Sequence, residues 1–469
     1  MHILIIGAGR IGRSVAENLV NESNDITIVD HDAERVNALE TRLDLRGVTG
    51  NALSPSVLES AGANDADMIL AVTANDETNM AVCLLASQLF NIPTRIARVR
   101  NQELRQYPRL LAEEGFQITS TIWPEQALNE SLLRLIEFPE ALQIIDFAEG
   151  KAVLFCVRAV AGSPLVGRPI GDLAVHLPYV PARIVSVFRR NRRLDISSET
   201  VIESGDEVIA LSSGRDVRRV ISELRQHEER IRRIMIAGNA RLGVQLAGLL
   251  NGPESRRGYT ITILDEDTAL STSLAAAVPK DTELVTGSLT NEEVLTELCV
   301  DRCDLFISLS ARDENNIMGA LLAKKLGARR VIALTDSDTF SALMQGTQID
   351  VTVSSTQATI GELLRHVRRG DVLAAHSLRR GVAEALEIVA HGNKKSSRVV
   401  GKRIADIDLP EGVEIAALVR DTDDIEEPQV LIAQKDVIVE PEDRVIVFVP
   451  GKRVIAQVEK LFAVDVGFF

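Results

Sequence analysis

The residues with the clearest capacity for chemistry stand at the start of the chain. Gly7, Ala8, Gly9, Arg10, Ile11 and Gly12 read G-A-G-R-I-G directly after the apolar run at 3–6. A glycine loop between a strand and a helix can wrap a pyrophosphate. Gly7 permits the tight turn, Gly9 lets the backbone approach the phosphates, and Gly12 lets the helix pack closely on its strand. The helix N-terminus then offers free N–H groups and a partial positive charge to the anion. Asp30 ends the second apolar run, eighteen residues after Gly12. There its carboxylate can accept both ribose hydroxyls and repel a 2′-phosphate, so NAD (NAD+ or NADH) is expected in preference to NADP. Thr73-Ala74-Asn75-Asp76 follows a fourth apolar run and Arg98 lies near the end of a fifth. Both fall at strand C-termini, where open parallel sheets bind ligands. Arg98 reads either as a surface salt-bridge residue or as a cation facing phosphates or adenine.

These groups need a frame to hold them. Short apolar runs at 2–6, 26–29, 46–49, 67–72, 93–99 and 116–119 alternate with helix-period segments near 10–22, 32–43, 54–61, 76–90, 101–113 and 124–136. Strands separated by helices of this length require crossovers, hence a doubly wound parallel sheet with helices on both faces. Beyond residue 140 the pattern changes to β-rich runs at 152–160, 184–189 and 207–211, closed by a helix-period stretch at 215–226. That is a small α+β module.

The chain then repeats itself. I-L-I-I-G-A-G-R-I-G at 3–12 matches I-M-I-A-G-N-A-R-L-G at 234–243. I-T-I-V-D at 26–30 matches I-T-I-L-D at 261–265, with the inserted residues placed at a turn around Pro253 and Glu254. V-T-G-N-A-L at 48–53 matches V-T-G-S-L-T at 285–290, and A-N-D-E-T-N-M at 74–80 matches A-R-D-E-N-N-I at 311–317. The modules match as well, P-L-V-G-R-P-I-G-D-L at 164–173 with R-V-V-G-K-R-I-A-D-I at 398–407, and E-S-G-D-E-V-I at 203–209 with E-P-E-D-R-V-I at 440–446. Self-similarity in this order is the mark of duplicated structural units. The expected class is α/β, two Rossmann-like parallel-sheet domains each followed by a small α+β domain. The expected limits are 1–139, 140–228, 229–370 and 371–469, with the charged stretch 227–233 as the junction.

The second loop keeps Gly238, Gly243 and Asp265 but has Ala240 where the first has Gly9, and Leu334 falls about where the first has Arg98. A methyl group at the phosphate-approach position hinders close contact. The second site is therefore weaker, altered in preference or structural.

Bulk properties remove several alternatives. A net charge of −15 and 3% aromatic residues argue against nucleic acid, which asks for a positive face or stacking platforms. No apolar run approaches the roughly 18–20 residues that span a bilayer, and the N-terminus reads as a strand rather than a signal peptide. Cys83, Cys156, Cys299 and Cys303 form no secreted-type framework, and no histidine near Cys299 and Cys303 completes a metal site. A dehydrogenase needs a proton donor or nucleophile beside the nicotinamide. The seven scattered histidines supply no candidate, and no Tyr-x-x-x-Lys is present. The leading reading is a sensor with a conformational output, not an enzyme. An NAD-dependent oxidoreductase with an unrecognised substrate and a scaffold with a vestigial site are the alternatives.

The glycine loop, Asp30, A-V-T-A-N-D-E-T-N-M at 71–80 and A-R-V-R at 97–100 resemble the N-terminal domain of the RCK (regulator of potassium conductance) family. L-V-G-R-P-I-G-D-L and E-S-G-D-E-V-I resemble the RCK C-terminal domain. The tandem arrangement, over essentially the whole chain, is similar to the NAD-binding regulatory subunits of bacterial Trk potassium uptake systems. The resemblance implies a cytoplasmic protein, peripheral on the inner membrane, that assembles as a homo-oligomeric ring (a tetramer) beneath an integral membrane potassium channel subunit of the Trk type. It implies NAD contacts at Gly7, Gly9, Gly12, Asp30, Thr73, Ala74 and Arg98, with Gly238, Gly243 and Asp265 matching in the second copy. ATP and ADP are further effectors within the family.

Overall fold

The computed structural model describes residues 1–20, 24–112, 114–226, 230–252, 258–344, 347–367, 372–378, 383–421 and 428–464. The boundaries expected at 228/229 and 370/371, and the turn at Pro253 and Glu254, lie outside these residues.

The first sheet consists of β1 (His2–Ile6), β2 (Asp25–Asp30), β3 (Arg46–Thr49), β4 (Met68–Ala71), β5 (Thr94–Arg98) and β6 (Ser120–Ile122). All are parallel, in the order β3-β2-β1-β4-β5-β6. The order reverses between β1 and β4, which opens the crevice where such sheets take ligands. Ile3, Leu4, Ile5 and Ile6 are buried, as a central parallel strand covered on both faces requires. Each such burial stabilises the fold by about 1.5–3 kcal/mol.

Two expectations at the end of this sheet need correction. The helix expected over 101–113 is instead a 3-10 turn at Gln102–Gln106 and a single helical turn at Pro108–Leu111. Pro108 has no N–H and takes the first helical position, so it starts a new turn rather than continuing the old one. The strand expected at 116–119 begins at Ser120. The N–H groups of Phe116 and Ile118 donate back to the carbonyls of Leu110 and Leu111, and Gln117 adopts φ +59°. That segment closes the helical turn before the chain straightens.

The module that follows holds β7 (Ala141–Phe147), β8 (Ala152–Arg158), β9 (Ala182–Arg189), β10 (Arg192–Arg193) and β11 (Glu207–Ser213). They form an antiparallel sheet ordered β10-β9-β11-β8-β7, covered by the helix Val217–Leu224. β7 had no counterpart among the expected strands. The third sheet repeats the first: β12 (Arg233–Ala237), β13 (Thr260–Asp265), β14 (Thr282–Thr286), β15 (Leu305–Ser308), β16 (Arg330–Leu334) and β17 (Val351–Val353), ordered β14-β13-β12-β15-β16-β17 and parallel. The fourth repeats the second: β18 (Val372–Leu378), β19 (Ala383–Val389), β20 (Glu414–Arg420), β21 (Gln429–Ile432) and β22 (Arg444–Val449), ordered β18-β19-β22-β20-β21. The α/β class with two Rossmann-like sheets and two small α+β modules is what the structure has.

The compact bodies do not follow the order of the chain. One comprises Met1–Ala127, Thr356–Gln429 and Ala433–Phe469, and the other Leu128–Ser355 with Val430–Ile432. In the second body, Leu128, Leu132, Leu135 and Ile136 of the helix Pro124–Glu137 share a core with Ile234, Ile236, Leu242, Ile332 and Val351. In the first, the helix that follows β17 serves the first sheet, and His366 Nδ1 lies 3.2 Å from the Ser120 hydroxyl of β6. Each Rossmann sheet thus shares its body with the helix that follows the other copy's last strand.

Candidate nucleotide site

The first turn leaves β1 at Gly7, whose φ of +107° is open to glycine at little cost. A Cβ there would also lie 3.1 Å from the Thr73 backbone. The Gly7 N–H donates to the Val29 carbonyl at 2.8 Å. At Gly12 a Cβ would come within 1.8 Å of the Gly7 carbonyl oxygen, so the turn and the helix Arg10–Leu19 fit only without a side chain there. Gly9 is different. A Cβ on it would meet nothing within 4 Å, and its φ of −72° suits any residue. Neither packing nor backbone geometry asks for glycine at this position. Gly9 is also the N-cap of the helix, and no side chain caps it. The exposed donors at that end have no side-chain acceptor within the cap.

Asp30 ends β2 and is buried. Its Oδ2 accepts the Ala8 N–H at 2.6 Å and its Oδ1 the Asp32 N–H at 2.9 Å. His31 Nδ1, on an exposed ring, lies 3.0 Å from Oδ1. A carboxylate oxygen carries two lone pairs, so the acid that clamps the loop keeps acceptor capacity for ribose hydroxyls.

On the other side of the switch point, Thr73 and Arg98 come together. Arg98 Nη1 donates to the Thr73 carbonyl at 3.2 Å, while its Nε is buried without a hydrogen-bond partner. Burial, then the neighbouring Arg100, lowers the guanidinium to about 10, against an upward pull from Asp76. Arg98 remains a cation at neutral pH and lies close enough to Arg10 for the two charges to repel. Among the described residues Arg98 makes no ion pair, which goes against its reading as a salt-bridge residue, and its position beside Thr73 suits the cationic wall of a crevice. Ala74 occupies the same loop after β4. These residues fit a dinucleotide: a glycine with no internal purpose, an uncapped helix end, an acid at ribose position and a partly buried cation.

Sequence reasoning missed the residue that holds this crevice in shape. Asn79, fully buried, accepts the Thr73 N–H at 2.9 Å and the Thr73 hydroxyl at 2.7 Å. Its amide donates to the carbonyls of Thr73 and Arg98. One side chain ties the end of β4 to the end of β5. Asn316 does the same for Ser310 and Leu334 in the second copy. The signal was present, since Asn79 and Asn316 align in the repeat, but a buried asparagine is identified by its partners rather than by its spacing.

The second turn keeps the frame and closes the opening. Gly238 has φ +95° and donates to the Leu264 carbonyl at 2.7 Å. Asp265 accepts from Asp267 at 3.0 Å and from Ala240, one position further along the loop than Ala8. Ala240 is fully buried. The Asn239 side chain caps its own helix, accepting the Leu242 N–H at 3.0 Å. Beneath the turn, Leu289 replaces Ala52: a Cβ on Gly238 would lie 2.8 Å from one Leu289 methyl, and a Cβ on Gly319 would lie 2.0 Å from the other. Gly319 stands where the first copy has Val82, so the two positions exchange bulk. Gly243 meets Ile263 rather than the Gly238 carbonyl, a looser packing than at Gly12.

Among the described residues no helix is long and apolar enough to cross a membrane, and no group of three or more His, Cys, Asp or Glu could hold a metal ion.

Residues 3–117 and 234–355 match the TrkA-N domain family, and residues 154–225 and 394–463 match the TrkA-C domain family. The Trk system potassium uptake protein TrkA of Halomonas elongata is 45% identical over 469 residues, covering 100% of both chains. That of Vibrio alginolyticus is 42% identical over 463 residues, covering 98% of each. Among solved structures, the GsuK RCK domain shares the fold with a TM-score of 0.58 at 19% identity, covering 98% of this chain and 95% of that one. The GsuK channel does so with 0.60 at 19%, covering 98% and 78%. With both domain types matched twice in tandem and full-length relatives above 40% identity, the chain belongs to the family of Trk system potassium uptake proteins TrkA.

Proposed function

We propose that the chain is the nucleotide-sensing regulatory subunit of a Trk-type potassium uptake system, and that NAD, oxidised or reduced, is the ligand of its first Rossmann-like turn. The observation that carries the reading is Gly9, a glycine that neither the fold nor the packing needs, at a helix end left without a cap. A phosphate approaching the backbone there is the one demand that only glycine satisfies.

Bound there, NAD supplies two negative charges and ribose hydroxyls rather than redox chemistry. The Gly7–Gly12 turn and the N–H groups of the helix Arg10–Leu19 receive the pyrophosphate, Asp30 accepts ribose hydroxyls, and Arg98 adds positive charge from across the crevice. Thr73 and Ala74 line the far side. Gly238, Gly243 and Asp265 frame the second turn, which Asn239 and Leu289 fill, so that copy acts as a structural partner. ATP or ADP competes for the first site because each carries the same phosphate and ribose groups.

The output is conformational. A ligand shifts an equilibrium only by its differential affinity for two states, so occupancy of the first turn biases how the bodies pack in a homo-oligomeric ring, a tetramer. That ring lies on the cytoplasmic face of the inner membrane against an integral potassium channel subunit. The names of the relatives, potassium uptake proteins of a Trk system, support this partner.

The test is calorimetric titration of the purified chain with NADH, NADPH, ATP and ADP, alongside Asp30→Ala. Micromolar NADH binding, equivalent to about −8 kcal/mol, that exceeds NADPH and weakens in the variant supports the reading. No binding of any of them overturns it. Co-purification with the membrane subunit tests the partner.

A further inference from the structure

His31 follows the acid placed to meet ribose, and the fold does not need it. Its side chain is 86% exposed, and its Nδ1 lies 3.0 Å from Asp30 Oδ1. The repeat provides an internal control. Asp265 accepts the Asp267 N–H as Asp30 accepts that of Asp32, and Asp32 and Asp267 each cap the helix that follows. The residue between the two acids of the second copy is Glu266, which is also exposed. The same turn is therefore built with a carboxylate where the first copy has an imidazole, so packing and capping leave His31 without a task.

Its place gives it one. In dinucleotide-binding sheets the acid at the end of the second strand takes the ribose 2′-hydroxyl, and a cation beside that position accommodates a 2′-phosphate instead. Asp30 alone repels the phosphate. The charges near His31 come from few elements. β2 brings Asp30, and the helix Ala33–Glu40 with its cap brings Asp32, Glu34 and Arg35. Arg35 Nε lies 3.0 Å from Asp32, so that cation is already paired. The glycine loop brings Arg10, which lies near enough to Arg98 for the two to repel. The turn after β3, Thr49 to Asn51, brings no charge, though its Gly50 N–H donates to the Asp30 carbonyl. His31 is thus the group in contact with Asp30 whose charge can change, and histidine is the side chain that changes charge between about pH 5 and 8.

We infer that His31 sets the discrimination between a ribose 2′-hydroxyl and a 2′-phosphate at the first turn. As neutral imidazole it leaves the repulsion from Asp30 intact, and the site selects NADH. As imidazolium it offsets that repulsion, and the site admits NADPH as well. The inference rests on the NAD reading of this turn and adds to it a choice of ligand that depends on a proton.

The test titrates the full chain by calorimetry with NADH and NADPH, at about pH 6 and about pH 8, as wild type, His31→Ala and His31→Arg. The 2′-phosphate itself takes up a proton over this range, and comparison among the three proteins removes that effect. From pH 8 to pH 6 the preference of the wild type for NADH should fall by about fivefold more than that of His31→Ala, the effect of one unit charge at contact distance in water. His31→Arg, charged throughout, should prefer NADH less than His31→Ala does at both pH values. All three should melt alike, since the side chain is exposed. An equal fall in wild type and His31→Ala overturns the inference and leaves the NAD reading standing. So does a His31→Arg protein that discriminates as strongly as His31→Ala. Absence of NADH binding by the wild type at pH 8 overturns the NAD reading, and the inference with it.

Discussion

The Asp30 carboxylate accepts the Ala8 backbone N–H at 2.6 Å. The acid expected to meet ribose is therefore also the residue that fixes the phosphate loop to the end of β2. Asp30→Ala should lose on both counts. Stability should fall by about 1–3 kcal/mol, because the buried N–H of Ala8 loses its acceptor, and NADH affinity should fall with it. Asp265→Ala should lower the melting temperature in a similar way while leaving NADH affinity unchanged. Paired thermal melts and titrations check both.

Gly9→Ala separates ligand from fold. With nothing within 4 Å of the new methyl group, the melting temperature should stay within about 0.5 kcal/mol equivalent of wild type. NADH affinity should fall about tenfold or more, as backbone and phosphate are held apart. Gly12→Ala should behave in the opposite order: its Cβ overlaps the Gly7 carbonyl oxygen, and such overpacking costs about 1–3 kcal/mol before any ligand is added.

Arg98→Leu gives the first copy the residue of the second, Leu334. Nucleotide affinity should drop and its salt dependence should flatten. The wild-type guanidinium, lowered to about 10 chiefly by burial, is charged below that pH and neutral above it. Its share of anion binding should therefore be present at neutral pH and be lost as pH rises through about 10, whereas the variant should show no such step. Titrations from pH 8 to 11 read the difference.

Asn79→Ala should cost about 2–3 kcal/mol, since it strands buried groups at the ends of both β4 and β5. Asn316→Ala should cost a similar amount in the second copy. Only the former should weaken NADH binding, and denaturant melts with parallel titrations separate the two.

Burial raises the thiols of Cys83 and Cys303 to about 12. A thiol whose folded value lies above its unfolded one adds stability that is fully present below about pH 9 and is lost as pH rises towards 12. Cys83→Ala should flatten the decline in unfolding free energy above pH 9 by up to about 1.4 kcal/mol per pH unit. Below pH 9 the exposed Cys299 should take up iodoacetamide in the native protein, while Cys83 and Cys303 should not.

The parts of this molecule legible in its sequence are those written as short local patterns. The glycine loop, Asp30 and the alternation of strand and helix each lie within a window of thirty or so residues, and the repeat showed each twice. Asn79 was less visible because its meaning lies in partners at Thr73 and Arg98, brought together only by strand pairing. The closure of the second turn was half visible. Ala240 announced a change, but the cap from Asn239 and the bulk traded between Leu289 and Gly319 depend on packing across the sheet. Residues 101–119 misled because their apolar spacing suits a helix and a strand, while Pro108 and the backward hydrogen bonds of Phe116 and Ile118 decide otherwise.

The sheet that ends at β6 shares its body with a helix whose His366 follows Ser120 by 246 positions. On the ribosome, the chain emerges from its N-terminus at about 5–20 residues per second. The nucleotide-binding sheet must wait roughly ten seconds to a minute for that helix, with one apolar face incomplete. Chaperones have most to protect in that interval, and translation pauses before residue 366 should lengthen it.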